Sequence, residues 1–270
     1  MLAEQHVSNE STGQDDLFGL DIAVSNNDGQ GEPAERDRLF MTVPEWNEHE
    51  RLIGEKETLG FYLEGHPITR YQDELSLIVT VPLVNIRPGR VIVAGYIENI
   101  RTRSGPRGRM AEVRIDDRTA RAHLTIYSDV YNKVRSYLIK DKLIIVAGEA
   151  VGDDYYDTGY YVKVDAVFDL TMFRDSCATL KLVLNKKMMK NGILDTIKHT
   201  ISQCSHRKRP IVIEFDSENA SGEISLGDNW KIEINDKLID ELQNIIGVNN
   251  VLISYQGLNN FILQQTSHKN

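Results

Sequence analysis

Gly89-Arg-Val-Ile-Val-Ala-Gly-Tyr-Ile-Glu-Asn-Ile-Arg101 is followed directly by a basic, glycine-rich segment, Thr102-Arg-Ser-Gly-Pro-Arg-Gly-Arg109. The first segment reads as a long strand. Onward to Leu170 the pattern predicts four more strands, at about Met110–Asp116, Ala120–Tyr127, Leu143–Val151 and Tyr160–Asp169, with a helix at about Ser128–Leu138 between the third and fourth. Asp116-Asp117-Arg118-Thr119 reads as the tight turn between strands two and three. Gly95 interrupts the first strand where it must bend sharply to serve both sides of a small barrel. Five strands with a helix between the third and fourth is the arrangement of the OB-fold, whose exposed face and flanking loops bind oligonucleotides.

The residues on that stretch suit single-stranded nucleic acid, which is held by cations that track phosphate and by rings on which bases stack. Arg101, Arg103, Arg107 and Arg109 lie on or beside the first loop, and Arg114 and Arg121 fall on the next two strands. Tyr96 and Tyr127 are candidate stacking platforms, and the pairs Tyr155-Tyr156 and Tyr160-Tyr161 flank the loop between strands four and five. Such contacts predict salt-sensitive, sequence-tolerant binding. The alternative is a solvated arginine rim around tyrosines that face the core.

Charge placement supports the first reading. The whole chain of 270 residues is acidic, with a formal net charge of -9 and a pI near 5.3, and its 41% hydrophobic and 26% charged content is ordinary for a globular protein of about two domains. Yet residues 86–130 hold nine Arg against five Asp/Glu, while residues 1–60 hold four Lys/Arg against fourteen Asp/Glu. Nucleic acid responds to the local field, not to the sum. Cys177 and Cys204 are far apart and form no C-x-x-C pair, which predicts reduced thiols without a zinc site. No signal peptide or apolar span long enough for a membrane is visible, so a cytoplasmic protein is expected.

Outside the barrel, four segments are expected. Residues 1–41 lack hydrophobic periodicity and read as a disordered arm. Within it Gln14-Asp15-Asp16-Leu17-Phe18 reads either as a chance apolar pair or as a linear peptide whose Leu and Phe fill a pocket. Residues 42–85 read as a helical linker: Thr42-Val-Pro-Glu-Trp46 starts a helix, Gly65-His66-Pro67 stops it with His66 as a cap or turn residue, and a short helix from Ile68 to about Leu77 follows. The barrel then occupies 86–172. Residues 178–256 read as a small α+β domain with helices on one face of a mainly antiparallel sheet. Its strands are expected at Thr179–Leu184, Ile211–Asp216, Gly222–Leu226, Trp230–Ile234 and Val248–Tyr255, and its helices at Met188–Gln203 and Asp236–Ile246. Residues 257–270 read as a flexible polar tail. The fold class is thus multidomain, β plus α+β.

Two runs carry a family resemblance. Gly54-Glu-Lys-Glu-Thr-Leu-Gly-Phe-Tyr-Leu-Glu-Gly-His-Pro-Ile68, ahead of a barrel whose second and third strands carry Ile115-Asp-Asp-Arg-Thr-Ala120, resembles the C-terminal part of the bacterial DNA polymerase III alpha subunit, the replicative polymerase of the DnaE type. The resemblance runs from about residue 12 to about 256, and the Gly-His-Pro segment is its most specific element. It implies that Gln14, Asp15, Asp16, Leu17 and Phe18 bind the sliding clamp (the beta subunit) and that the C-terminal domain binds the clamp-loader tau subunit. The barrel would then hold single-stranded template DNA beside the remainder of the polymerase III core. The family's palm, a DNA-directed nucleotidyltransferase using magnesium, lies upstream of the residues matched. Asp116 and Asp117 read as turn residues and Asp153 and Asp154 as loop residues, so no catalytic residue, metal site or cofactor is expected in this chain. Two other readings stay open: a stand-alone anticodon-binding-like RNA module, and a structural interaction domain that binds no nucleic acid.

Overall fold

A computed structural model describes residues 46, 48–60, 62–63, 65–106, 108–156, 158–189, 192–203, 208–217 and 220–266. The chain divides into Met1–Trp46 and Asn47–Asn270, and the architecture below is that of the second unit. The clamp-type peptide at Gln14–Phe18 lies outside the described residues.

Helix α1 (Glu48–Leu59) is followed by a 3-10 turn, Pro67–Tyr71, and by α2 (Gln72–Ser76). His66 caps that turn from an extended backbone, its Nδ1 accepting the Ile68 N–H at 3.2 Å, while Pro67 at the first position has no N–H to satisfy. The expected cap role of His66 is therefore seen, and the second linker helix is realised partly as 3-10.

The barrel strands are β1 (Gly89–Gly105), β2 (Gly108–Asp116) and β3 (Arg121–Ile126), then helix α3 (Ser128–Val134), then β4 (Leu143–Gly152) and β5 (Tyr160–Phe168). They close in the order β1-β2-β3-β5-β4. One long strand serves two neighbours: Gly89–Tyr96 pairs with β4, and Tyr96–Gly105 pairs with β2. The parallel β3–β5 pairing shuts the barrel. Alternation sends Val91, Val93, Ile97, Val113, Ile115, Leu124, Ile126, Ile144 and Val162 into one buried core. At the bend, a Cβ on Gly95 would lie 3.0 Å from the Asp116 carbonyl oxygen. At Gly148, beside the β4–β5 register shift, the constraint is harder, since a Cβ there would lie 2.3 Å from the Lys163 carbonyl oxygen. The turn after β2 is held by Asp117, whose Oδ1 accepts N–H bonds from Thr119 and Ala120. Helix α3 stops short of the expected Leu138.

Beyond the barrel come α4 (Leu170–Cys177), β6 (Ala178–Asn185), α5 (Ile193–Ser202), β7 (Ile211–Ser217), β8 (Ala220–Ser225), α6 (Asp236–Ile246), β9 (Val251–Tyr255) and α7 (Leu258–Thr266). The sheet order is β8-β7-β6-β9, with β6 and β7 parallel and the outer two pairings antiparallel. Leu180, Leu182, Leu184 and Ile211 face α5 and α6 through Ile197, Ile201, Leu238 and Leu242. Trp230–Ile234, expected as a strand, is a 3-10 turn followed by a single bridge from Ile232 to Arg209. Ile232 and Ile234 are buried all the same, so apolar alternation there records burial without a strand ladder.

The expected polar tail differs most. Residues Leu258, Phe261 and Ile262 recur at helical spacing, and α7 docks on the barrel's outside. Phe261 meets Phe168 and Phe173 with ring centroids 5.8 and 5.3 Å apart. A third core forms there from Ala94, Ile145, Ala147 and Phe168 on the barrel and from Leu75, Phe173 and Ile262 on α2, α4 and α7. Polar groups finish this joint. Arg174, 3% exposed, holds both oxygens of Glu74 (2.8 and 2.6 Å) and one of Asp236 (2.7 Å). The Tyr255 hydroxyl donates to Glu74, and the Tyr71 hydroxyl donates to Asp236 at 2.7 Å. Linker, barrel flank and C-terminal sheet are thereby tied to one guanidinium.

Candidate nucleic-acid interface

Helices α2, α4 and α7 cover the other flank of the barrel and leave the outward positions of β2 and β3 partly exposed, except Thr125, which is buried. Register places their side chains in rows. Arg103 stands beside Met110; Arg101 beside Glu112, Thr125 and Lys163; Asn99 beside Arg114, His123 and Tyr161. Interior neighbours Ala111, Val113 and Ile115 are fully buried, which fixes the facing of the rows.

A ring cluster sits on this surface. Tyr156, from the β4–β5 loop, lies 4.6 Å from His123 and 5.6 Å from Tyr161, centroid to centroid, and 5.4 Å from Tyr155, which is 85% exposed. Burial pushes the Tyr156 phenol up against the opposing effect of its hydrogen bond with Thr125, so it is a neutral donor at physiological pH. Tyr127, 44% exposed, follows β3 at the start of α3.

The cations are only partly answered. Arg103 lies 3.3 Å from Glu112, Arg114 2.7 Å from Glu98, and Arg121 3.2 Å from Glu98 and 3.3 Å from Asp116. The Arg114–Glu98 approach is an ion pair without hydrogen-bond alignment. Arg101 and Lys163 are exposed and add to the same region, whereas Arg109, also exposed, alternates onto the other side of the β1–β2 ribbon from Arg103. The pairs of Arg103 and Arg121, whose side chains are largely exposed, are worth about 0–1 kcal/mol each, so exchange of a carboxylate for a phosphate there costs little.

Of the residues expected at the interface, Arg101, Arg103, Arg114, Arg121 and Tyr156 share this face, and Tyr127 borders it. Arg107 lies outside the described residues. Tyr96 needs correction as an open platform: it is half-buried beside Tyr62 and His66, 5.7 Å from the His66 ring, and packs with Leu143 against the third core. It points outward from β1 but on a covered stretch. His123 and Lys163 were not anticipated. His123 was readable, since Arg121, His123 and Thr125 alternate on one strand; the approach of the Tyr156 loop was not.

Known proteins match most of the chain. The family described as DNA polymerase III subunit alpha, C-terminal domain, matches residues 197–247, the stretch from α5 to the end of α6. The DNA polymerase III alpha subunit of Vibrio cholerae is 29% identical over 259 residues, 94% of this chain and 22% of that protein. Its counterpart in Pseudomonas aeruginosa is 31% identical over 94% of this chain and 21% of its own length, and that of Escherichia coli K12 28% over 94% and 22%. This chain is a relative of the C-terminal part of bacterial DNA polymerase III alpha subunits. It spans about a fifth of the length of those alpha subunits. Among solved structures, asparaginyl-tRNA synthetase from Pyrococcus horikoshii aligns over 33% of this chain and 22% of its own at 19% identity and a TM-score of 0.29, and nothing in the barrel assignment rests on it. Among the described residues no helix is long and apolar enough to cross a membrane.

Proposed function

We infer that this chain is a DNA-holding and tethering part of a replicative DNA polymerase of the polymerase III alpha type. The observation that carries this is the open β2–β3 face, where arginines and the His123–Tyr156–Tyr161 rings stand in register. Strand order, with α3 between β3 and β4, is that of an OB-fold, and such a face with stacking rings and phosphate-seeking cations fits single-stranded DNA. The kinship with alpha subunits supports a cytoplasmic setting and the polymerase core as neighbour. A competition titration decides the ligand class: single-stranded DNA is expected to displace a labelled oligonucleotide at lower concentration than duplex DNA or tRNA. Preference for tRNA would favour an RNA-binding module, and displacement by none of them an interaction domain.

In the same reading Gln14, Asp15, Asp16, Leu17 and Phe18 dock on the sliding clamp, and the unit built on β6–β9 docks on the tau subunit. The peptide combines an amide for orienting hydrogen bonds with a Leu-Phe anchor, the type of pair that carries binding energy when it fills a pocket. Replacing Leu17→Ala with Phe18→Ala is expected to abolish clamp binding in a pull-down while leaving oligonucleotide affinity unchanged. Unaltered clamp binding would remove the arm from the account.

A further inference from the structure

A cleft of about 450 Å³ opens at the end of the β2–β3 face, between the chain after α1 and the barrel. It is continuous with that face, because Arg121, Asp116 and Glu98 border both. Its walls carry three rings. The His66 ring meets Tyr62 and Tyr96 edge-on, each at 5.7 Å.

The floor and rim carry balanced charge. Lys56, Arg118 and Arg121 face Glu98, Asp116 and Asp141, so no excess of cations is present to select a phosphate. Lys56 is further occupied by Asp141 at 3.5 Å and by the Tyr62 ring. What remains suits a neutral, planar group with hydrogen-bonding edges. His66 supplies a donor: its Nδ1 accepts from Ile68, which leaves the proton on Nε2, 3.8 Å from Asp116 Oδ1. Burial lowers its pKa despite the opposing Asp116 and Asp117 charges, which keeps the ring neutral. The backbone at this site is also unusual. Among the described residues the non-glycine positions with positive φ are Arg118 at 75° and Asp141 at 61°, and both line the cleft.

We propose that this cleft takes one unstacked nucleobase of the strand held on the barrel face, walled by Tyr62, His66 and Tyr96, with the His66 Nε2–H and the Asp116 carboxylate addressing the base edge. The proposal rests on the single-strand reading above and adds an end point to the path. A strand running from Tyr127 past Tyr156 and Arg121 reaches the cleft as its next stop, and a base leaving the stack there exchanges base–base for base–ring contact.

An abasic scan tests it. A dye-labelled single-stranded oligonucleotide with one abasic nucleotide stepped along its length is titrated by anisotropy against the whole chain. One position is expected to cost about tenfold in affinity beyond its neighbours, the scale of losing one stacked base. That excess is expected to vanish in His66→Asn, which retains a side-chain cap, and in Tyr62→Leu, which lies outside the barrel. Thermal melts by circular dichroism show which variants are folded, and either folded variant suffices. An even cost at every position, or an excess that persists in a folded variant, overturns the cleft and leaves the face standing. Failure of the intact oligonucleotide to bind overturns both.

Discussion

Replacing Arg174 with alanine is expected to lower the unfolding free energy by about 3–5 kcal/mol, the cost of removing one partner from a buried ion pair. The guanidinium is 3% exposed and its main partner, Glu74, 10%, so the stranded carboxylate finds little water. Two hydroxyls, from Tyr255 and Tyr71, also lose the geometry that Arg174 imposes on their acceptors. Arg174→Lys is expected to recover only part of the loss, because an ammonium cannot hold both oxygens of Glu74 and Asp236 together. Urea denaturation checks this through the midpoint at constant slope. For comparison, alanine at the exposed Lys237, paired with Glu241 at 3.8 Å, is expected to change stability by under about 1 kcal/mol. A loss at Arg174 no larger than that would refute its role as the joint.

The same joint gives a pH dependence of known sign. Burial acts to raise the Asp236 pKa, but hydrogen bonds from Arg174 and Tyr71 and the nearby positive charges outweigh it and hold the carboxyl below its usual range. A depressed carboxylate contributes stability that is present above the unfolded pKa and is lost as pH falls through the folded value, so the acid limb below about pH 4 is expected to flatten in Arg174→Ala.

Reversing Arg101, Arg103 and Arg121 to glutamate is expected to weaken single-stranded DNA binding about a hundredfold at low salt, about 1 kcal/mol for each reversed charge. The plot of log affinity against log salt is expected to become shallower by about 2, the share of three contacts at about 0.7 each for a single strand. All three side chains are exposed, so the barrel core is untouched and the melting temperature serves as the control. Anisotropy titrations over a salt series give both numbers. An unchanged slope would make these arginines a solvated rim and leave the rings of His123, Tyr156 and Tyr161 to carry any binding.

Much of the barrel was legible because its information is local. Period-two alternation in β1 through β5 names the inward residues, Gly95 marks the bend, and Asp116-Asp117-Arg118-Thr119 marks a turn whose hydrogen bonds are made within four residues. Arg114 and Arg121 could be placed on one face by the same alternation, whereas Arg101 and Arg103 join it because a bulge between Ile97 and Asn99 resets the parity of β1. The sites that escaped the sequence depend on what covers a strand. Tyr96 points outward from β1, as Arg101 does beyond the bulge between Ile97 and Asn99, yet Tyr62 and His66 lie against it, and no local pattern in β1 records that. Tyr156 reaches His123 only because the β4–β5 loop folds back across the parallel β3–β5 pairing.

The polar tail shows the same limit from the other side. Residues 257–270 are mostly polar, and α7 forms because Leu258, Phe261 and Ile262 find an apolar surface on Phe168 and Phe173 that lies 80 to 100 residues away in sequence. By itself, then, the sequence determined the five barrel strands, the His66 cap and the kinship with polymerase III alpha subunits, since each rests on neighbours within a few residues or on an extended run of matched ones, although β1 and β2 run on to Gly105 and from Gly108 through most of the expected loop. Only the tertiary structure decided which outward faces remain open, where the Arg174 joint ties linker to sheet, and that His66, Tyr62 and Tyr96 enclose a cleft. Burial and long-range pairing are properties of the assembled surfaces, and they settle whether the same arginine or tyrosine meets solvent, a carboxylate or another ring.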